Sequence, residues 1–345
     1  MPLRAGRAAA VRRLTPVRPP RSVPGMTARA RRALAGLLVL LALPLALSSC
    51  SIRRWAVKGV ADTLSGGVDV YGTDEDPELV GDALPFGLKT MESLLSVVPD
   101  HQGLLLSLCR GFASYSNAYV QAEGDLLVNT DYARAARLHQ RALRLYLRAR
   151  DYGLRGLELR YRGVGDQLRL DPARAAARIQ RRDLPMLYWT AAAWGSAISL
   201  GKDRPELLAD LPAIRALMER GLALDESYEG GAIHEAMILL DALPEAMGGS
   251  EASARRHFAR AVELTHDTKA SPYVTLAQSV SVLRQDRAEF EALLGRAIEF
   301  DPGADPARRL AATVTQRKAR ALLERGDEFF LDETVSPDTT QTEEP

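Results

Sequence analysis

The chain has 345 residues, with 45 Lys or Arg against 44 Asp or Glu, a net charge of +1, 46% hydrophobic residues and two cysteines. That length buries a sizeable core, as one elongated domain or two smaller ones. Outside the first 50 residues 36 basic residues face 44 acidic ones, which argues against a nucleic-acid binder with its basic footprint, and Cys109 alone remains there, so no disulfide is possible within that part.

Residues 1–50 carry nine Arg, no Lys and no acid. Ala33 to Leu47 (ALAGLLVLLALPLAL) follows as an apolar run of 15 residues. A basic start and a short apolar run are the plan of a secretory signal peptide. A membrane-crossing helix needs about 20 residues, and Pro44 interrupts this run. The run ends in Leu47-Ser48-Ser49-Cys50, which resembles the bacterial lipobox. The expectation is a signal peptide over 1–49, cleavage before Cys50, and diacylglycerol plus an N-acyl chain on that cysteine, a number of chains that gives stable anchoring. The plain alternative is a free cysteine beside an ordinary signal peptide. Residues 1–25 lack a helical apolar period, so a start at Met26 is the expected one. Ser51 rather than Asp after the cysteine favours the inner leaflet of the outer membrane over the inner membrane.

Without the nine leader arginines, 36 basic residues face 44 acidic ones, a charge of −8 that suits a soluble, monodisperse domain. Only Cys109 remains after Cys50, and its apolar setting (LLLSLCRGF) reads as core. Residues 50–75 are expected to be a tether with one short helix near 54–64. Beyond it no period-2 strand pattern and no Asn-Gly turn occurs. Ala, Leu, Arg and Glu dominate, all helix formers. Asp76-Pro77, Asp171-Pro172, Asp301-Pro302 and Asp305-Pro306 read as helix starts, an Asp cap with Pro in the first turn. The pattern predicts helices near 76–97, 102–122, 131–151, 172–181, 184–200, 205–224, 228–243, 250–265, 272–284, 286–299 and 305–330, joined by short connections as antiparallel pairs. Leu294, Ala297 and Pro302, with Trp194-Gly195 and Met218…Gly221, echo tetratricopeptide spacing without a strict period. The expected class is all-α: antiparallel helical pairs stacked over 76–331 as degenerate tetratricopeptide-like repeats, an α-solenoid. Residues 332–345 (DETVSPDTTQTEEP) are polar and acidic, the composition of a disordered tail.

Five stretches in order carry a further likeness: Asp76–Leu88, Arg148–Leu157, Leu187–Leu200 (LYWTAAAWGSAISL), Leu224–Glu235 (LDESYEGGAIHE) and Ala270–Val274. Together they resemble the T component of tripartite ATP-independent periplasmic (TRAP) transporters, the TatT-type lipoproteins. The resemblance implies an all-helical lipoprotein of the periplasm that partners the transporter's substrate-binding protein. It also implies binding or hand-over of a small apolar ligand, and a homo-oligomer with a trimer as the number to test. The other reading is a generic helical-repeat scaffold of envelope assembly.

Candidate sites follow from the rarer residues. Tyr188, Trp189 and Trp194 stand in a chain with three Trp. At about 100° per residue Trp189 and Trp194 face different neighbours. Each fills a gap between helices or lines a ligand groove. His234, Glu235 and Tyr273 are the polar candidates for that groove, against a reading as satisfied packing residues. His234-Glu235 could open a zinc motif, but position 238 is Ile, so the second ligand is missing. Glu226-Ser227 has the order of the catalytic pair in lytic transglycosylases, without the glycine-rich segment those enzymes place after it. Arg134, Arg137, Arg141, Arg144 and Arg148 form one basic stripe, either a solvated face or a docking surface for an acidic partner or phospholipid headgroups. No phosphate loop, nucleophile elbow or metal spacing appears, so no catalytic residue, metal or cofactor beyond the lipid is expected.

Overall fold

The computed structural model describes residues 54–66 and 70–331, and all regular structure among them is helical. Cys50, the leader and the acidic tail lie outside the described residues. The first helix, α1, spans 54–66. It is followed by α2 (Pro77–Val97), α3 (Gln102–Tyr115), α4 (Ala122–Leu127), α5 (Tyr132–Glu158), α6 (Val164–Leu170), α7 (Pro172–Ala177) and α8 (Leu184–Leu200). Then come α9 (Pro205–Leu208), α10 (Leu211–Asp225), α11 (Ala232–Asp241), α12 (Glu251–Leu264), α13 (Ser271–Leu276), α14 (Val282–Arg284), α15 (Arg287–Glu299) and α16 (Arg309–Glu324).

Capping explains most helix starts. Asp76, Asp171 and Asp305 accept backbone N–H groups from Leu79, Arg174 and Ala307, with Pro in the first turn each time. Asp301 differs: its carboxylate accepts from the Gly303 amide at 2.8 Å and closes a turn, so that Asp-Pro step starts no helix. Two boundaries move for internal reasons. A π-helical turn at Ser116–Gln121 joins α3 to α4, so the helix predicted to end at 122 runs on to Leu127. The helix predicted over 205–224 breaks into α9 and α10 around Asp210, whose carboxylate is drawn inward.

Neighbouring helices pack in succession. α3 packs on α5, α5 on α8, α8 on α10, α10 on α11, α11 on α12 and α15 on α16. A main core runs from Ala61 to Leu240, and a second joins α13, α15 and α16 through Phe290, Leu294, Ala297 and Ala319. Close approach of α5 to α8 depends on glycine: a Cβ on Gly153 would lie 2.2 Å from Thr190 Oγ1 and 3.0 Å from Cys109 Sγ.

The last helix also returns to the first ones. The Leu310 amide donates to the Gly72 carbonyl at 3.1 Å. Arg309 pairs with Glu75 at 3.3 Å, Arg317 pairs with Glu78, and Arg325 donates to the Asp125 carbonyl at 2.7 Å. The last helix therefore contacts the segment around α2 and the end of α4.

Candidate functional site

The predicted groove residues separate into four environments. Tyr188 and Trp189, consecutive on α8, are half-buried and touch edge to face at 5.2 Å. Tyr228, from the loop before α11, packs on Tyr188 with its ring tilted by 58° and the centroids 5.3 Å apart. Arg110 of α3 lies over Trp189 at 5.7 Å. The loop turns sharply because Glu229, Gly230 and Gly231 all have positive φ, 50°, 65° and 75°. At Gly231 a Cβ would also sit 3.3 Å from the Ala261 backbone, so glycine brings Tyr228 round to α8. Burial raises the Tyr188 hydroxyl's pKa, and the charge of Glu235 raises it further. Glu235 itself pairs with Lys269 at 2.5 Å. This half-buried aromatic face is bordered by Arg110 and Glu235. Arg110 and Tyr228 carry no local signal of belonging to it, since both reach it from other elements.

Trp194 does not share that face. It is fully buried, and its indole N–H donates to Asp210 at 3.1 Å. Arg150 and Arg169 flank its ring at 5.5 Å and 5.6 Å, and Arg169 also pairs with Asp210 at 3.1 Å. Tyr273 belongs to a third cluster, donating to Asp267 at 2.6 Å and packing on Phe258 and Phe300. Ser271 is the first residue of α13, with its hydroxyl buried and without a hydrogen-bond partner among the described residues.

His234 is buried and anchors a partly exposed polar chain. Its Nε2 lies 3.3 Å from Glu226 and its Nδ1 lies 2.7 Å from Nδ1 of His257. His257 Nε2 faces Asp241 at 3.6 Å, and Arg215 pairs with Asp241 at 2.7 Å. Arg260 clamps Glu226 with two hydrogen bonds. Arg260 and His234 hold the Glu226 carboxyl at about 2, well below the ordinary value. A general acid needs the opposite shift, so this geometry opposes the transglycosylase reading. Among the described residues no group of three or more His, Cys, Asp or Glu is arranged to hold a metal. Cys109 is buried, and burial pushes its thiol up to about 12.

The arginine stripe runs along α5. Arg134 pairs with Glu123. Arg141 donates to the Tyr115 hydroxyl at 3.3 Å and lies over its ring. Arg148 pairs with Glu92 at 2.9 Å and lies over Phe112 at 5.1 Å. Arg137 and Arg144 have no partner among the described residues. Beside them a concavity of about 440 Å³ is lined by Arg144, Leu147, Arg148, Asp151, Tyr152 and Arg155.

Comparison with known proteins decides the family. The model of the TRAP transporter T-component matches residues 73–330. The chain belongs to the TRAP transporter T-component family. The match runs from the segment before α2 to the end of the helical body, so what is shared is that body. Membership implies association with a TRAP transporter and fits the cell envelope; the family is a transporter component rather than an enzyme class. The chain is also similar to an uncharacterized protein of Treponema pallidum (strain Nichols), 29% identical over 306 residues, covering 83% of this chain and 94% of the relative. No helix among the described residues is long and apolar enough to cross a membrane.

Proposed function

We propose that this T-component family member is a lipid-anchored periplasmic protein that holds the substrate-binding protein of a TRAP transporter and binds or hands over a small apolar ligand. The observation that carries this reading is the family match over residues 73–330, from the segment before α2 to the end of the helical body. Two surfaces support it. The Tyr188–Trp189–Tyr228 face combines aromatic side chains with the charges of Arg110 and Glu235, the residue types of a small-molecule site. The α5 stripe leaves Arg137 and Arg144 unpaired in a body of net negative charge, which suits an acidic partner.

The anchor is diacylglycerol and an N-acyl chain on Cys50, with the outer membrane's inner leaflet favoured by Ser51. The protein is a homo-oligomer, with a trimer the number to test by light scattering. The deciding experiment is capture on the lipidated protein from its own organism's envelope extract, read by mass spectrometry. Recovery of a TRAP substrate-binding protein, weakened about tenfold or more by Arg137→Glu with Arg144→Glu, supports the reading. Recovery of envelope-assembly proteins without a binding protein replaces it with the generic scaffold.

A further inference from the structure

The Cys50 anchor proposed above is joined to the folded body by a very short link, and this inference rests on that anchor. α1 begins at residue 54 and is part of the compact unit that starts at Arg54. Four residues of fully extended chain span at most ~14 Å. A cysteine acylated into the headgroup plane therefore keeps the start of α1 within that distance of the bilayer.

The body holds α1 in place. Ala61 is fully buried in the main core. His101 Nδ1 accepts the Leu104 amide at 3.1 Å as the cap of α3, so its other nitrogen carries the proton. That Nε2–H donates to Asp62 of α1 at 2.9 Å. Close by, a Cβ on Gly103 would lie 2.5 Å from Ser65 Oγ, so α3 meets α1 without space between them.

The first turns of α1 carry a different surface. Trp55 is 78% exposed. Arg54 and Lys58 are exposed and have no partner among the described residues. Lys58 lies four residues after Arg54 and three after Trp55, so its side chain neighbours both on the helix surface. An amphipathic indole is at its best at the boundary between headgroups and acyl chains, and unpaired cations are drawn to anionic headgroups. We propose that the N-terminal turns of α1 rest on the anionic bilayer surface, with Trp55 at the headgroup–acyl boundary and Arg54 and Lys58 on lipid phosphates. The contact fixes the orientation of the helical body on the membrane, which a lipid on a long tether would leave free.

The test uses the lipidated mature protein on vesicles of equal parts phosphatidylethanolamine and phosphatidylglycerol, with and without bromine on the acyl chains. Bromine quenches only nearby tryptophan. The other two tryptophans, Trp189 and Trp194, lie on α8 and serve as internal references. The expected result is loss of emission on brominated vesicles for the wild type, absent in Trp55→Phe. Arg54→Gln with Lys58→Gln should cut that loss several-fold, as should replacing phosphatidylglycerol by phosphatidylcholine. Intact mass of the same sample reports acylation of Cys50. Acylated protein with equal quenching in the wild type and Trp55→Phe overturns the contact and leaves the anchor standing. Unacylated protein removes the distance constraint and overturns both.

Discussion

At the scale of single residues, the His234–His257 contact sets a proton count. Two Nδ1 atoms 2.7 Å apart share one proton. If His234 keeps its Nε2 proton for Glu226, His257 must supply the bridging one. Its Nε2 then carries a lone pair toward Asp241, which the 3.6 Å separation tolerates. Burial lowers both histidine pKa values below 6.5, and for His257 the neighbouring His234 lowers it further. The native state thus binds fewer protons than the unfolded chain. The sign follows: this stability is fully present above the unfolded value of 6.5 and falls as pH drops through it toward the lower folded values. Denaturation in urea between pH 7.5 and about 5 should show that loss, and the His234→Gln, His257→Gln pair should flatten it. Glu226 acts in a separate window, contributing above 4.5 and losing its contribution as pH falls toward about 2.

Trp194 allows a second residue-scale expectation. Trp194→Phe removes the indole donor and leaves the buried Asp210 to Arg169, for a cost of about 1–3 kcal/mol. Trp189→Ala lies on a half-buried face, so it should cost less stability while weakening capture of ligand. Equal losses in the urea midpoint for both variants would show that Trp189 also serves packing. The sequence offered these two tryptophans as equals. Only the position of Asp210, 16 residues on, separates them.

At the scale of elements, α5 and α8 depend on the absent side chain at Gly153. Gly153→Val would drive a methyl group into Thr190 and Cys109 and part the helices, for about 1–3 kcal/mol or more. A melting temperature unchanged by that substitution would mean the interface has slack not visible in its distances. This scale was the most legible from sequence, because helix content and Asp-Pro caps are local effects. Departures arise where distant residues intervene. Ser116 turns its hydroxyl to the Ala142 carbonyl at 3.0 Å within the π turn that prolongs α3. Asp210 breaks a helix in order to meet Arg169 and Trp194. The short α6 has no apolar run long enough to announce it. The same limit governs the site: Tyr188 and Trp189 stood out by type, whereas Arg110, Tyr228 and His257 gain meaning only from partners brought in by the fold.

At the scale of the molecule, the return of α16 to α2 differs in kind from the rest of the packing. Elsewhere helices bury Leu, Ala and aromatic side chains against one another. The α16–α2 contact instead relies on Arg317–Glu78 and Arg309–Glu75, pairs with largely exposed carboxylates, and on one backbone hydrogen bond from Leu310 to Gly72. An exposed pair contributes about 0–1 kcal/mol and is screened by salt. The closure should therefore open at lower free energy than the α5–α8 core, as a local event. Hydrogen exchange would read it directly. Raising salt from about 0.05 M to about 1 M should speed exchange of the Leu310 amide severalfold and leave amides in the middle of α5 unchanged. Arg317→Glu should reproduce the effect at low salt, and exchanging the charges in Arg317→Glu with Glu78→Arg should restore protection. Exchange at Leu310 as slow as in α5 and indifferent to salt would mean that apolar contacts of α16 close the body, and that the ion pairs only decorate the seam.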